Sequence, residues 1–512
     1  MTSHIQAHTR RDSLVILGAV CLSALVLPLS FTGGAVATPA IGREFGGDPA
    51  GLAWITNAFM LSFGSLLMAA GSLADQFGRK RLFAFGISLF SVVSLALAAS
   101  PSVWMLDVLR AVQGVAAAAA LASGTAALAQ EFDGPGRARA FSMLGTTFGV
   151  GLAFGPLVAG GLIDLFGWRS IFVLTAVLGG LSLAFGVPRM RETRDPGAQG
   201  LDWPGALSFT ATLVLFTCAV IQAPESGWLN PWVVLALAGS ALCLAAFIKI
   251  EGRVARPMLD LSLFRLGRFV GVQILPIGTC FAYIVLVVML PLRFVGVEGL
   301  SEIRAGLLMV ALSLPMLVVP IVVATLTRWI SAGVLAGVGF LVAAAGLHWL
   351  SLFEAGDALS ALVAPMAVIG VGAGMPWGLM DGLSVSVVPK ERAGMAAGIF
   401  NTARVAGEGV TLAIVGALLA GLVRSHLDAA AMGLPPAAVA EAAHRVATGD
   451  LAHAVKTLPG MAPGVLASSY ADAFQSLLHI LTAITVLSAL VVFAFLARPV
   501  RAASPALADE QA

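Results

Sequence analysis

The chain has 512 residues, of which 59% are hydrophobic and only 11% are charged, and its formal net charge is +2. Soluble domains carry roughly 45–50% hydrophobic and about 25% charged residues, so a soluble protein of this composition could not cover its apolar surface. The composition excludes a soluble enzyme, a nucleic-acid-binding protein and a disordered chain, and it indicates a polytopic α-helical membrane protein.

The chain contains fourteen apolar stretches, each bounded by charged residues or by Pro and Gly breaks. A helix needs about 20 apolar residues to cross ~30 Å of hydrocarbon. The first stretch follows Arg10 and Arg11 and is too long for a cleaved signal, so it is interpreted as the first span. The predicted spans cover residues 14–38, 51–73, 82–99, 103–129, 138–163, 169–187, 204–221, 231–249, 269–291, 304–325, 331–352, 358–387, 395–422 and 471–497.

The placement of Lys and Arg orients these spans. If both termini are cytoplasmic, 20 of the 29 basic residues lie on the cytoplasmic side and 7 on the opposite side. This is the distribution that the positive-inside rule describes. We therefore expect both termini in the cytoplasm and a multi-pass protein of the cell (inner) membrane.

Two features lie outside the spans. Residues 189–203 form a charged linker after the sixth span, and residues 423–470 form an Ala- and Pro-rich segment before the last. Pro435 and Pro436 favour a short helix that ends near Gly449, and low complexity is the alternative interpretation. The four cysteines each stand alone in an apolar stretch, so we expect neither a structural disulfide nor a metal site.

The loop between the second and third spans contains Gly71, Asp75, Gly78 and Arg79. The glycines allow close backbone approach, and the carboxylate can accept hydrogen bonds from Arg79 or from a helix N-terminus. Such a polar, breakable contact suits a latch between helix bundles. The alternative is an ordinary basic turn.

Arg110 lies inside the fourth span, three residues before Gln113. A charged residue within a span is costly and is expected to face a cavity or a partner. Because Arg110 is only about two turns into the helix, snorkelling to the interface is the alternative.

The fifth span carries Gly151, Gly155, Pro156 and Gly160. Small residues spaced by one turn make a smooth face for tight helix packing. Pro156 removes a backbone hydrogen bond and is expected to bend the helix.

Together these three stretches resemble the first-half signatures of the major facilitator superfamily. The signatures are G-x-L-a-D-x-x-G-R-k after span two, l-x-x-x-R-x-x-q-G in span four and g-x-x-x-G-P in span five. The third signature is linked to antiporters. Fourteen spans, and stretches at 201–205, 256–264, 388–394 and 401–404, are similar to the fourteen-helix drug:proton antiporter subfamily.

The resemblance implies two six-helix bundles around a central cavity, with spans seven and eight as an insertion, rocking about a midplane site. It implies a latch of Gly71, Asp75, Gly78 and Arg79, and a role for Arg110 in coupling proton and substrate. The implied division is an N-tail (1–13), a first bundle (14–187), a linker (188–203), two inserted helices (204–250), a linker (251–268), a second bundle (269–497, with the long loop 423–470) and a C-tail (498–512).

The chain departs from the subfamily in two places. Ser30 stands where related sequences often carry an acid in the first span, and a serine cannot carry a proton. The second-half copy of the loop motif has Thr327 and Arg328 where an acid would stand.

Two acids lie clearly within spans, Asp381 and Glu408. Asp381 and Arg404 have similar depths, about 12 Å from the cytoplasmic end at 1.5 Å per residue, which makes an ion pair between them plausible. Glu408 is one turn deeper than Arg404 on the same face. A carboxyl group in a low-dielectric cavity binds a proton more readily than one in water, so Glu408 is the leading candidate for the proton carrier. The alternatives are Asp381 as carrier and a structural Glu408–Arg404 pair, and the resemblance does not supply this role for Glu408.

Polar or aromatic residues within apolar spans are the candidates for the substrate cavity. Met and Phe, with 16 and 28 copies, supply adaptable apolar surface that suits promiscuous binding, although most are expected to face lipid or fill packing. The cavity candidates are Ser30, Asn57, Gln113, Trp377 and Asn401.

The predicted function is proton-coupled export of hydrophobic or amphiphilic compounds, with a small hydrophobic substrate and the lipid bilayer as partners. An exporter or importer of a specific metabolite or lipid is the alternative, because a fold does not settle the substrate. The sequence has no H-E-x-x-H, no G-x-S-x-G and no Walker lysine loop, so we expect no enzyme activity, no cofactor and a proton gradient as energy source. A periplasmic adaptor protein is a further candidate partner.

Overall fold

The computed structural model describes residues 10–46, 49–132, 134–194, 202–254, 259, 261–353, 358–388, 393–430, 434–459 and 461–497. Regular structure within these ranges is helical. The tails 1–9 and 498–512, parts of both linkers, and residues 389–392 of the 388–394 stretch lie outside the described residues.

Of the sixteen described helices named below, fourteen match the fourteen predicted spans, and α14 and α15 are short helices between the last two spans. Thirteen are long and apolar enough to cross a membrane as single units, and the fifth span qualifies as a bent pair of helices. The helices are α1 Arg10–Phe45, α2 Pro49–Phe77, α3 Arg79–Ala98, α4 Val103–Glu131, α5 Gly134–Phe166, α6 Arg169–Gly186, α7 Trp203–Ser226, α8 Pro231–Glu251, α9 Gly267–Val297, α10 Glu302–Leu326, α11 Ala332–Leu350, α12 Val363–Ser386, α13 Ala393–Ala430, α14 Pro436–Ala447, α15 Leu451–Thr457 and α16 Pro463–Leu496.

The helices form two bundles with a hairpin beside them. In the first bundle α2 packs on α4, α1 on α5, and α3 on α4 and α6. In the second, α11 packs on α12 and α16, and α13 packs on α9 and α16. The inserted helices α7 and α8 pair with each other, and α7 covers α2 and α13 where the bundles meet. We call the interface between the bundles the seam.

Two of the helices depart from a straight α-helix. α5 bends by 43° between Met143–Leu152 and Phe154–Phe166, because Pro156 lacks the N–H that would bond to Leu152. The predicted bend is therefore confirmed. α9 contains two π-helical segments, Cys280–Ile284 and Leu292–Val297.

The segment between α13 and α16 is folded. α14 begins at Pro436 after Pro435, as the proline pair predicts, and Gly449 turns the chain with a φ of +80°. α14 packs on α13 and α7, and α15 packs on α16. A Cβ added to Gly296 of α9 would lie 2.2 Å from the carbonyl oxygen of Gly449, so the segment is seated closely on the second bundle. We call residues 434–459 the cap.

Candidate functional site

Arg110 is completely buried inside the first bundle. Its Nε donates to the carbonyl oxygen of Ile55 at 2.7 Å, and one terminal nitrogen donates to Ser30 Oγ at 3.0 Å and to Gln113 Oε1 at 2.6 Å. The guanidinium also lies 4.4 Å from the ring centroid of Phe59. The side chain therefore does not snorkel, and helices α1, α2 and α4 all hold it.

The network around Arg110 extends to α3. Gln113 Nε2 donates to Ser94 Oγ at 2.8 Å, and Ser94 is fully buried. Ser94 was not singled out from the sequence, because a serine in an apolar span carries no signal of its partner. Ser30 and Gln113, two of the cavity candidates, are both fully buried in this arrangement, so they contact Arg110 and not an open cavity.

One Arg110 donor remains without a hydrogen-bond partner. The second terminal nitrogen, NH2, is buried, and nothing in the described part of the chain accepts a hydrogen bond from it. It points towards α1, where a Cβ added to Gly34 would lie 3.1 Å from it. A side chain at residue 34 would therefore crowd the guanidinium. The coupling role of Arg110 stays a prediction.

Arg404 of α13 lies at the seam and is 8% exposed. Its NH1 lies 3.5 Å from Asp381 Oδ1 on α12, which is the ion pair expected from their depths. The Asp381 side chain is 57% exposed. Three rings surround the guanidinium carbon, with centroids 5.4 Å away for Phe148, 5.9 Å for Trp377 and 6.0 Å for Phe400.

Glu408 lies one turn beyond Arg404 and is 5% exposed. Within the described ranges no hydrogen bond or ion pair reaches its carboxylate, so the alternative of a direct Glu408–Arg404 pair is not realised in this structure. Cys280 of α9 approaches the Glu408 backbone carbonyl at 4.0 Å. Close packing holds this part of α13 against the first bundle, since a Cβ at Gly64 of α2 would lie 2.4 Å from the backbone nitrogen of Ala406.

The remaining cavity candidates are spread along the seam. Asn57 is 6% exposed and donates to the carbonyl oxygen of Ala53 at 3.1 Å. Trp377 is buried near Arg404, and Asn401 is half-buried. Asn57 thus bonds within its own helix, Ser30 and Gln113 bond to Arg110, and Trp377 lies near Arg404. The cavity roles of all five residues stay predictions.

A cavity of about 60 Å³ lies between the bundles beneath the cap. α1, α2, α7, α9 and α13 line it, together with α14. Its polar lining residues are Thr38, Thr56, Asn57, His444 and Thr448. The cap therefore contributes to the wall of a space that both bundles share.

The predicted latch residues lie where α2 meets α3: Gly71 and Asp75 are in the last turns of α2, Gly78 joins the helices and Arg79 begins α3. The linker after α6 caps this junction. Arg79 donates to Asp75 Oδ1 from Nε at 3.1 Å and from NH2 at 2.7 Å. The carboxylate of Glu192 accepts from the backbone N–H groups of Lys80 and Arg81 at 3.2 and 3.1 Å. Sequence reasoning missed Glu192, since nothing marks one acid of a charged linker as a helix cap.

Gly78 fits this turn because its φ is +112° and because a Cβ there would lie 2.3 Å from Glu192 Oε1. No atom lies within 4 Å of a Cβ added to Gly71. The latch role of Gly71, Asp75, Gly78 and Arg79 stays a prediction.

The small residues of α5 pack against two different helices. A Cβ at Gly151 would lie 2.6 Å from the carbonyl oxygen of Leu25, and one at Gly155 would lie 1.9 Å from Thr32 Oγ1, both on α1. A Cβ at Gly160 would lie 2.3 Å from the carbonyl oxygen of Glu302 at the start of α10. α5 therefore packs tightly on α1 of its own bundle and also contacts α10 across the seam.

Polar groups reinforce the seam at the same end. Arg43 of α1 forms an ion pair with Glu302 of α10. The backbone N–H of Ile303 donates to Asp164 Oδ2 of α5 at 3.3 Å. Sequence patterns do not indicate these pairs, because they join residues more than a hundred positions apart.

Comparison with known proteins agrees with this architecture. The model of the Major Facilitator Superfamily matches residues 20–412. The chain is 30% identical over 420 residues to the multidrug resistance protein Stp of Mycobacterium tuberculosis (strain CDC 1551 / Oshkosh), covering 82% of this chain and 78% of that one. It is 34% identical over 388 residues to the cephamycin export protein CmcT of Amycolatopsis lactamdurans, covering 74% and 79%.

A solved structure has the same fold. The inward-facing, unoccupied form of a bacterial homologue of the human lysosomal transporter Spinster aligns with a TM-score of 0.63 at 15% identity, over 95% of this chain and 97% of that one. The motifs, the two six-helix bundles and the family match lead to one conclusion: this multi-pass membrane protein belongs to the Major Facilitator Superfamily of transporters.

Proposed function

We propose that this chain exports hydrophobic or amphiphilic compounds in exchange for protons by alternating access. Relatives named for multidrug resistance and for antibiotic export cover most of its length, among them the multidrug efflux pump LfrA of Mycolicibacterium smegmatis at 29% identity over 90% of this chain. These names support export as the direction of transport.

The observation that carries proton coupling is the environment of Glu408. Its side chain is buried at the seam, and no cation of the described chain pairs with it directly. Burial without a partner favours the neutral form of a carboxyl group, so the residue can take up a proton when water reaches it and lose it when the environment changes. Ser30 cannot serve this purpose in the first span. We assign the proton to Glu408, with Asp381 and Arg404 as its charged neighbours on the same side of the seam.

Alternating access requires contacts that open and close at each end of the seam. Gly160 against Glu302 and the Arg43–Glu302 pair join the two bundles at one end of the seam, and the cap lines the cavity between them. These are the contacts that would open at this end. With both termini cytoplasmic, that end faces away from the cytoplasm. Arg110 would transmit the change from the core of the first bundle, and the Asp75–Arg79 turn would latch the cytoplasmic end.

The other parts of the proposal follow from this role. The protein would reside in the cell (inner) membrane, use the proton gradient without a cofactor and carry out no enzymatic reaction. A periplasmic adaptor protein is a candidate partner for this export. Dedicated export of one compound is the second candidate, favoured by the relative named for cephamycin export.

The test is transport in proteoliposomes with an imposed pH gradient. Rhodamine 6G reports the substrate and an enclosed pH dye reports the proton, for the wild-type protein and for Glu408→Gln. The matched control is Asp428→Asn, which removes an exposed acid from the same helix. We expect dye movement against its gradient with opposite proton flow in the wild type and the control, and loss of both in Glu408→Gln.

Two results would contradict parts of the proposal. Gradient-driven movement that survives Glu408→Gln would remove Glu408 as carrier and leave antiport. No dye movement in the wild type, with a set of amphiphilic dyes of both charge signs, would remove broad-range export and favour a single dedicated substrate.

A further inference from the structure

Arg404 has two acids near it, Asp381 and Glu408, and only Asp381 lies within ion-pair distance. A guanidinium carries five N–H donors, yet its one ion pair within the described ranges is the 3.5 Å contact with Asp381. Its Nε is buried, and no described residue accepts a hydrogen bond from it. The Asp381 side chain is 57% exposed, so water also hydrates its carboxylate. A buried guanidinium with an unbonded Nε–H is costly, and an anion placed against Nε would reduce that cost.

Both bundles contribute to the surroundings of these donors. Phe148 comes from α5 of the first bundle, and Trp377 and Phe400 come from the second. Centroids within about 6 Å of a guanidinium give cation–π stabilisation, which keeps the charge in place between the bundles. Because the rings belong to both bundles, rocking of the bundles would move Phe148 towards and away from Trp377 and Phe400 around Arg404.

The neighbouring backbone leaves room beside Arg404. Apart from the backbone of α13 itself, no described atom lies within 4 Å of a Cβ added to Gly407, which is one turn along the same helix. On α5, a Cβ at Gly145 would meet only Asp381 Oδ2 and one at Gly149 only Trp377 Nε1, each at 3.9 Å. A larger residue at any of these positions would fill space that the glycines leave open along the seam.

We propose that Arg404 and the rings of Phe148, Trp377 and Phe400 form a subsite for substrates that carry a carboxylate on an aromatic body. The planar fork of a guanidinium matches a carboxylate in a two-bond arrangement, and the rings match the apolar body. The incoming carboxylate would take the place of Asp381, which is exposed and returns to water. This inference rests on the proposed export function and names its substrate class.

Equilibrium binding tests the subsite without requiring transport. Two xanthene dyes provide the comparison: rhodamine B carries a free carboxylate and rhodamine 6G carries an ethyl ester. Because their alkyl groups also differ, the ratio of their two Kd values is compared between variants. Kd would be measured for both by fluorescence anisotropy with the full chain in detergent, for the wild type, Arg404→Gln and Arg404→Lys. The control is Arg424→Gln, a change of the same kind on the same helix.

We expect Arg404→Gln to weaken rhodamine B about tenfold, the effect of losing one or two hydrogen bonds to a charged group, and to change rhodamine 6G less than about twofold. The affinity of Arg404→Lys for rhodamine B should lie between those of the wild type and Arg404→Gln, since lysine keeps the charge and lacks the planar fork of the guanidinium. Unchanged rhodamine 6G binding would also show that the variant is folded. Phe148→Ala should weaken both dyes while keeping their ratio.

A constant ratio of the two Kd values in Arg404→Gln would overturn the subsite, and so would tighter binding of rhodamine B. Loss of both dyes in Arg404→Gln, with Phe148→Ala unchanged, would also overturn it and make Arg404 a structural residue. Failure of the export proposal would give a different result. The Kd ratio of the two dyes would still depend on Arg404, but the wild-type protein would not move the dyes in proteoliposomes.

Discussion

Arg404 NH1 and Asp381 Oδ1 lie 3.5 Å apart and join α13 to α12. Their depths along two separate helices indicate this pair from the sequence. This pair gives Arg404 a partner other than Glu408, so the alternative of a direct Glu408–Arg404 pair is not realised. Glu408 is thereby left buried without a direct counterion among the described residues.

Asp381→Asn is expected to change stability little. The carboxylate is more than half exposed, and ion pairs of this kind contribute about 0–1 kcal/mol. The midpoint of unfolding in a denaturing detergent should therefore shift little. In the same variant, proton-driven dye export should persist, since Glu408 is intact. Loss of proton coupling with normal stability would instead make Asp381 the carrier.

Gly155→Val is expected to destabilise the first bundle strongly. A Cβ at residue 155 would lie 1.9 Å from Thr32 Oγ1, and overpacking of a tight contact costs typically about 1–3 kcal/mol. Gly161→Val on the same helix is the matched control, because no atom lies within 4 Å of a Cβ there. Thermal unfolding in mild detergent would compare them. Equal stability of the two variants would show that α1 and α5 separate easily.

The spans were predictable because each one needs an apolar stretch of fixed length. All fourteen stretches became helices, and their ends shifted by up to eight residues where helices continue beyond the apolar part, as α13 does to Ala430. The motif glycines were predictable as packing residues. Which helix each one contacts was not, since Gly155 meets α1 and Gly160 meets α10.

The polar network was predictable only in part. The sequence predicts a partner for Arg110 because a charge in a span is costly. Gln113 is one turn away on the same helix. Ser94 and the carbonyl of Ile55 complete the set from other helices. A backbone carbonyl has no signature in the sequence, and a serine satisfied by its own helix looks the same as one that supports an arginine.

Glu192→Ala is expected to loosen the first turn of α3. The carboxylate accepts from the N–H groups of Lys80 and Arg81, and loss of a helix cap costs typically about 1 kcal/mol, which corresponds to roughly fivefold faster local opening. Hydrogen exchange of these two amides should accelerate by about that factor. Glu192→Gln keeps an acceptor and is the control, so equal acceleration in both variants would point to the charge and not the hydrogen bonds.

Gly296→Val is expected to displace the cap from the second bundle. A Cβ at residue 296 would lie 2.2 Å from the backbone carbonyl oxygen of Gly449, and a backbone atom cannot rotate away as a side chain can. Amide hydrogen exchange in α14 should therefore rise, and His444 and Thr448, which line the cavity beneath the cap, should become accessible to water. Gly421→Val on α13 is the control, since a Cβ there meets no atom within 4 Å. Unchanged exchange in α14 for Gly296→Val would show that the cap is held by its contacts with α13 and α7, and that Gly296 only accommodates it.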